Sequence, residues 1–167
     1  MLDLENSAGT NGESEPRERA LELAYRYLNR RDRTVEETRR HLEGKAIGAH
    51  AIDEAVETLV ESGYLDDARF ARVFAEDKRE LEYWGSDRIR RGLITRGVDR
   101  ELIEATLGNG SGTELDRALE LLSRRFPTPP RDGRERDRAF GVLLRKGYDS
   151  ELAVDALRAH ARGADEP

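Results

Sequence analysis

Apolar residues recur along this chain at intervals of three and four positions, the spacing of an α-helix that buries one face. In one such segment Ile52, Ala55, Val56 and Leu59 follow one another at i, i+3, i+4 and i+7. A run of alternating β-branched residues, which would indicate a sheet, does not occur in the sequence. The pattern therefore predicts an all-α fold.

Turn and capping residues divide this pattern into nine helices in three groups of three. Thr34 and Glu37 have the spacing of a capping box, in which each side chain accepts a backbone N–H at the start of a helix. Gly63 and Gly97 each follow a helical segment, where a left-handed residue commonly ends the helix. The predicted helices lie near 17–29, 35–43, 49–62, 67–82, 86–96, 99–107, 113–125, 134–146 and 149–161.

Two aspartates follow the turn at Gly63. Asp66 and Asp67 stand where a helix begins, and their carboxylates are placed to accept its free backbone N–H groups. An acidic pair can also serve in catalysis, but capping is by far the commoner role of aspartates at a helix start. We therefore predict that both residues cap the helix.

The three groups of helices repeat at a fixed offset. Leu93 and Gly97 match Leu143 and Gly147 fifty residues on, and Leu42 matches Leu93 at an offset of fifty-one. Units that repeat in this way stack on their neighbours, so we predict three tandem three-helix repeats forming an elongated, curved body. The predicted organisation is a disordered acidic tail (1–16), repeat 1 (17–66), repeat 2 (67–110), repeat 3 (111–161) and a frayed tail (162–167).

Composition narrows the class of protein. Charged residues make up 38% of the 167 residues and cysteine is absent, which excludes a disulfide framework and a thiol nucleophile. No apolar run approaches the roughly 18 residues of a membrane span, and the first sixteen residues lack the features of a signal peptide. We therefore expect a cytoplasmic protein. The net charge is −6, and most of it lies in the N-terminal segment. The overall acidity argues against tight nonspecific binding to nucleic acid, because such binding needs a basic surface.

One local stretch departs from this acidity. Four arginines and no acid occur between Arg88 and Val98: Arg88, Arg90, Arg91 and Arg96. Such a run is commonly a solvated helix face. It also suits a partner-binding surface, since the guanidinium group binds carboxylates and phosphates through two parallel hydrogen bonds.

A second set of cations lies on the preceding helix. Arg72, Lys78 and Arg79 are further candidates for partner binding. They rank below the Arg88 group, because acids interleaved with them favour ion pairs along that helix. The adjacent Tyr83 and Trp84 either pack at the junction between repeats or present an aromatic surface, and packing is the commoner role.

The central block carries a specific combination of residues: the glycine turn and aspartates at 63–67, Arg69, Phe70, Ala71, Arg79, Gly85, Ile89, Leu93 and Gly97–Val98. An upstream pattern of Leu28, Arg31, Arg33, Thr34, Glu37 and Leu42 accompanies it. In these residues, and over roughly 17–160, the chain resembles the RecX family of bacterial regulators of the RecA recombinase. The resemblance implies three helical repeats without a cofactor. It also implies binding to the RecA filament on single-stranded DNA, which dampens strand exchange, ATP hydrolysis and co-protease activity. The oligomeric state stays open, with a monomer as the default expectation.

The chain departs from the family pattern in its first repeat. Where the family usually ends its first short helix with Lys-Gly, this chain has Lys45-Ala46, and alanine in a left-handed turn costs about 1 kcal/mol. The third repeat is the weakest match to the family.

No catalytic or metal-binding motif accompanies the resemblance. His41, His50 and His160 lack the spacing of metal ligands, and no phosphate-binding or nucleophile motif occurs, so we predict neither an enzyme nor a metal site. Two other readings remain open, a structural adaptor and a direct nucleic-acid-binding module. In the second, segment 86–107 would act as a helix-turn-helix, although its last helix offers only Arg100 as a base.

Overall fold

The computed structural model describes residues 11–108 and 113–163, with side chains from residue 14 onward. Within these ranges the chain forms nine α-helices and no strand, which confirms the predicted all-α fold. The helices are α1 (Asn11–Leu28), α2 (Val35–Glu43), α3 (Ala49–Glu61), α4 (Asp67–Glu82), α5 (Ser86–Thr95), α6 (Arg100–Gly108), α7 (Glu114–Arg125), α8 (Gly133–Lys146) and α9 (Ser150–Gly163).

The two ends of the described chain differ from the prediction. Helix α1 begins at Asn11 rather than near Arg17, so residues 11–16 of the predicted disordered tail are helical. Pro16 lies inside this helix, whereas the sequence suggested a helix that starts just after it. Helix α9 continues to Gly163, two residues into the predicted frayed tail. The rest of both predicted tails, at 1–10 and 164–167, lies outside the described residues.

The described chain forms two compact units. The first comprises Met1–Phe70 and Arg96–Val98, and in it α1, α2 and α3 pack against one another. Their apolar faces bury a core that includes Ala24, Leu42, Ile52 and Leu59.

The second unit comprises Ala71–Thr95 and Asp99–Pro167. Its hydrophobic core joins α7, α8 and α9. Helix α5 packs on α6, and the side chains of Ile89 and Leu93 on α5 are buried. The contacts between residues thus divide the helices into two units, whereas the sequence predicts three repeats. The boundaries of those repeats stay a prediction.

Caps and left-handed turns set the helix ends as the sequence indicates. Thr34 accepts a hydrogen bond from the backbone N–H of Glu37 at 3.1 Å, and the Glu37 carboxylate accepts one from Thr34 N at 3.0 Å. Gly63, Gly97 and Gly147 have φ values of 76°, 75° and 91°, which glycine adopts without steric cost. The predicted capping box and the predicted turns at Gly63 and Gly97 are therefore confirmed.

The two predicted aspartate caps serve different helices. Asp66 accepts a hydrogen bond from Arg69 N at 2.9 Å and caps α4 as predicted. Asp67 instead accepts one from Val35 N at 2.9 Å, at the start of α2. The prediction for Asp67 is wrong because its carboxylate points to a helix that is distant in sequence.

Contacts within each unit reveal a repeated connection between helix ends. In the first unit the Thr34 hydroxyl donates to the carbonyl oxygen of Arg96 at 2.6 Å, next to the Val35–Asp67 bond. In the second unit the start of α5 makes the matching pair of bonds. Gly85 N donates to Lys146 O at 2.8 Å, and Ser86 N donates to a carboxylate oxygen of Glu114 at 2.6 Å.

These bonds share one geometry. The start of α2 bonds to the end of α5 and to the acid that begins α4. The start of α5 bonds in the same way to the end of α8 and to the acid that begins α7. The donor positions 34 and 35 match 85 and 86 at the offset of fifty-one, and Arg96 matches Lys146 at the offset of fifty. The acids do not keep the offset, since Asp67 and Glu114 are 47 residues apart, but each is the first residue of its helix.

Candidate partner-binding surface

Arg88 lies at the start of α5 in a stacked arrangement. Its guanidinium carbon is 4.2 Å from the centre of the Trp84 ring, a cation–π contact, and its Nη1 donates to the carbonyl oxygen of Arg145 at 3.0 Å. The side chain is half-buried. These contacts fix the direction of the guanidinium group while leaving its charge without a carboxylate partner among the described residues.

Lys78 approaches the same indole ring. Its Nζ is 4.8 Å from the centre of the Trp84 ring and forms an ion pair with Glu82 one helical turn along α4. That hydrogen bond is the main reason why the pKa of Glu82 is lowered. Two cations therefore contact the Trp84 ring: Lys78, which is neutralised by Glu82 on the same helix, and Arg88, which has no such partner among the described residues.

Arg90 is held by acids from two helices. It forms ion pairs with Asp87 at 2.6 Å and with Glu104 of α6 at 2.8 Å. The hydrogen bond to Glu104 is the largest cause of its raised pKa. The sequence run contains no acid, but folding brings one from fourteen positions away, so Arg90 links α5 to α6.

Arg91 forms no ion pair with any acid among the described residues. Its side chain is exposed, and its Nε donates only to the backbone carbonyl of Asp87, at 3.2 Å. It lines an open groove of about 400 Å³ together with Asp87, Asp149 and Leu144, whose side chain is 40% exposed. Arg88 and Arg91 are therefore the two arginines of α5 without an ion pair to a described acid, and an exposed leucine accompanies Arg91.

The remaining candidates differ in accessibility. Arg79 is only 6% exposed, and its Nη2 donates to Leu107 O at 3.1 Å at the end of α6. Burial, with a further contribution from Arg117, lowers its pKa. Arg79 is therefore a buried helix cap, which contradicts the prediction of a partner-facing side chain. Arg72, in contrast, is exposed on α4.

Arg96 belongs to the first compact unit, whereas Arg88, Arg90 and Arg91 belong to the second. Its backbone carbonyl accepts the hydrogen bond from Thr34, and its side chain is half-buried. The four arginines of the predicted patch are thus divided between units.

Tyr83 packs against the protein interior, which is the role that the sequence favours for this aromatic residue. It lies against the apolar core of α7, α8 and α9, and its hydroxyl donates to a carboxylate oxygen of Glu120 at 3.0 Å. Its φ of 55° is left-handed, which is rare for a residue with a side chain. This backbone turn separates α4 from the residues that lead into α5.

Sequence reasoning missed a second group of arginines, on α8. Arg134, Arg136 and Arg138 are exposed and form no ion pair within the part of the chain that the structure describes. The interleaved acids made this stretch look neutral. Two of them cap the helix, since Asp132 accepts from Glu135 N at 2.8 Å and Glu135 accepts from Arg131 N at 2.9 Å. The three-residue spacing of Asp132 and Glu135 is typical of a helix cap, and it could have indicated that these acids do not neutralise the arginines.

The described residues contain no group of His, Cys, Asp or Glu that could hold a metal ion. The histidines lie apart: His41 stacks on Tyr27 with ring centres 4.0 Å apart, and His160 is bonded to Phe126 O at 2.8 Å. Among the described helices, none is long and apolar enough to cross a membrane.

Comparisons with known proteins agree with this arrangement of helices. The family model for the first three-helix domain of RecX matches residues 20–59, and that for the second three-helix domain matches residues 66–107. The regulatory protein RecX of Trichlorobacter lovleyi is 37% identical over 134 residues, which is 77% of this chain and 87% of that protein. That of Stenotrophomonas maltophilia is 36% identical over 147 residues, 87% of each chain.

The chain belongs to the RecX family. A crystal structure of RecX from Lactobacillus salivarius superimposes with a TM-score of 0.77 at 18% identity, over 88% of this chain and 97% of that chain. A second RecX crystal structure has a TM-score of 0.70 at 19% identity. These likenesses show the RecX fold of tandem three-helix repeats, and the family is one of regulatory proteins.

Proposed function

We propose that this RecX-family chain binds the RecA filament on single-stranded DNA in the cytoplasm and dampens its strand exchange, ATP hydrolysis and co-protease activity. The observation that carries the proposal is membership in a family of regulatory proteins, across nearly the whole chain. The mechanism is binding rather than catalysis.

The surface around Trp84 supports a protein partner. Arg88 and Arg91 offer charge that no described acid neutralises, and Leu144 beside Arg91 adds an exposed apolar side chain. Arginine together with apolar area is typical of the central part of protein interfaces. We propose Arg88 and Arg91 as the main contacts, with Arg72 and Lys78 of α4 as further contacts.

A chain of repeated helical units suits a partner that is itself periodic. Several weak contacts made by one chain strengthen each other, because the first contact raises the effective concentration for the next. A regulator of this kind hinders the filament by bridging neighbouring subunits. We propose that the chain acts as a monomer.

The test is the ATP hydrolysis of the cognate RecA on single-stranded DNA, titrated with this protein. A parallel titration measures binding of this protein to the same DNA without RecA, at low and at moderate salt. We expect inhibition well below one molecule per RecA subunit, and weak DNA binding. Unchanged ATP hydrolysis together with strong, salt-sensitive DNA binding would instead establish a direct nucleic-acid-binding module.

A further inference from the structure

The third repeat contains an apolar groove that the proposed function does not use. It has a volume of about 470 Å³, and Phe140, Val154 and Leu157 line it from α8 and α9, with Pro130 beside them. Val154 is 37% exposed although it is apolar. The groove lies entirely within the second compact unit.

The first two repeats place an ion pair at the corresponding positions. In repeat 1, Arg39 of α2 pairs with Asp53 of α3 at 2.5 Å. The repeat offset of fifty-one carries these residues onto Arg90 and Glu104, which pair at 2.8 Å. The second and third helices of both repeats are therefore joined by the same salt bridge.

The third repeat replaces that salt bridge with apolar residues. The offset of fifty carries Arg90 and Glu104 onto Phe140 and Val154, both of which line the groove. An exposed valine at a position that elsewhere holds a carboxylate is a specific departure from the repeat pattern. It creates apolar surface that a folded monomer gains nothing by exposing.

Cations surround this apolar surface. Arg136 and Arg158 line the groove, and Arg134 and Arg138 belong to the same helix as Arg136. Arg158 has only a long contact with Asp155, at 3.5 Å between exposed groups, and the other three form no ion pair with any described residue. Asp137 is the single acid that lines the groove. The charge therefore favours an acidic occupant.

We propose that this groove binds an apolar side chain carried by an acidic segment of the RecA filament, which gives the third repeat a contact of its own. This inference rests on the proposed function. A protein segment suits the groove better than a nucleic acid, because most of its apolar lining is aliphatic. Base stacking needs an exposed aromatic face, and Phe140 is half-buried against the core.

The experiment compares two valine substitutions in the full chain. Val154→Asp places a negative charge in the groove, and Val60→Asp places one at a similarly exposed valine of α3, 47% accessible. Affinity for the RecA filament on single-stranded DNA is measured by competition with labelled wild-type protein. We expect Val154→Asp to weaken binding about tenfold or more, as the loss of an interface anchor does, and Val60→Asp less than about twofold.

A charge-only variant provides a second measurement. Changing Arg134, Arg136 and Arg138 to Ala together leaves the apolar lining intact; we expect weaker filament binding and a shallower dependence on salt. Circular dichroism confirms that each variant keeps its helices.

Four outcomes would overturn the inference. Equal effects of the two valine substitutions would show that the groove is not a contact. A matching loss of binding to DNA without RecA would identify a nucleic acid as the occupant. A wild-type dimer that Val154→Asp dissociates would identify a second copy. Absence of filament binding by the wild type would remove the proposed function together with the inference.

Discussion

At the scale of single residues, Ala46 adopts a backbone conformation that its side chain disfavours. Its φ is 57°, and the residue in the matching turn of the third repeat is Gly147. The surrounding hydrogen bonds correspond, since Ile47 N donates to Leu42 O as Tyr148 N donates to Leu143 O. The turn therefore keeps its geometry despite the side chain, at a cost of about 1 kcal/mol.

We predict that Ala46→Gly stabilises the protein. Glycine removes the steric cost of the left-handed turn, and the larger entropy of the unfolded chain offsets part of that gain, so we expect the free energy of unfolding to rise by about 0.5–1 kcal/mol. Urea denaturation measures the difference. Ala105→Gly, at an exposed position inside α6, is the control and should lower stability by a similar amount. A loss of stability in Ala46→Gly would show that the turn is not strained.

We predict a pH-dependent effect of Asp67→Asn. Burial, more than any other cause, raises the pKa of Asp67 above its usual 3.8, although the hydrogen bond from Val35 N opposes the shift. The folded chain therefore holds this proton more tightly than the unfolded chain, and stability falls as pH rises through the folded pKa. Asparagine keeps an oxygen acceptor for Val35 without the charge. The stability of wild type relative to Asp67→Asn should therefore decline as the pH rises from about 4 through the raised pKa of the folded chain.

Unfolding curves at several pH values test this effect, with Asp67→Ala as the control. Alanine leaves Val35 N without its acceptor, so we expect a loss of roughly 1 kcal/mol or more at every pH. If the wild type instead gains stability over Asp67→Asn as pH rises, the Asp67 carboxylate is stabilised rather than penalised by its surroundings.

At the scale of helices, close backbone contact joins α5 to the end of α8. Gly85 N donates to Lys146 O, and Asp87 N donates to Gly147 O at 3.1 Å. A Cβ atom added at Gly85 would overlap the carbonyl group of Gly147, and backbone atoms cannot move aside as a flexible side chain does. The connection between these helices therefore requires glycine on both sides.

We predict that Gly85→Ala destabilises the second unit by roughly 1–3 kcal/mol, the usual cost of overpacking. Thermal unfolding followed by circular dichroism measures the change. Gly133→Ala is the matched control in the same unit, since nothing lies within 4 Å of an added Cβ at this first residue of α8. Its stability should be unchanged or slightly higher. Equal stability of the two variants would contradict the close contact.

The sequence predicts helices well because their signals are local. The capping box of Thr34, the glycine turns and the apolar periodicity each involve residues a few positions apart. It does not predict which distant groups meet at the helix ends. Asp67 was assigned to its own helix, and the bond from Ser86 N to Glu114 spans 28 residues. The repeat offsets align Arg96 with Lys146 but not Asp67 with Glu114, so they do not identify the acid that each helix start contacts.

At the scale of the whole molecule, charge counted along the sequence differs from charge that a partner can reach. Arg90 appears unpaired in the sequence and is bound to Asp87 and Glu104 after folding. Arg79 appears exposed and is buried. Conversely, Arg134 and Arg136 appear neutralised and have no ion pair among the described residues. The candidate surface was therefore only partly predictable, because pairing depends on tertiary contacts.

This distinction gives a prediction for the proposed regulator. The double variant Arg88→Ala, Arg91→Ala removes the two arginines of α5 that form no ion pair with a described acid. It should raise the concentration needed to inhibit RecA ATP hydrolysis by roughly tenfold. The control variant Arg90→Ala removes an arginine that already forms an ion pair with Glu104. It should change inhibition less than about threefold, with a modest loss of stability typical of partly exposed ion pairs. Circular dichroism establishes that all variants remain helical. If Arg90→Ala impairs inhibition as much as the double variant, the filament engages Arg90 by displacing Glu104, and the proposed division between structural and partner-binding arginines is wrong.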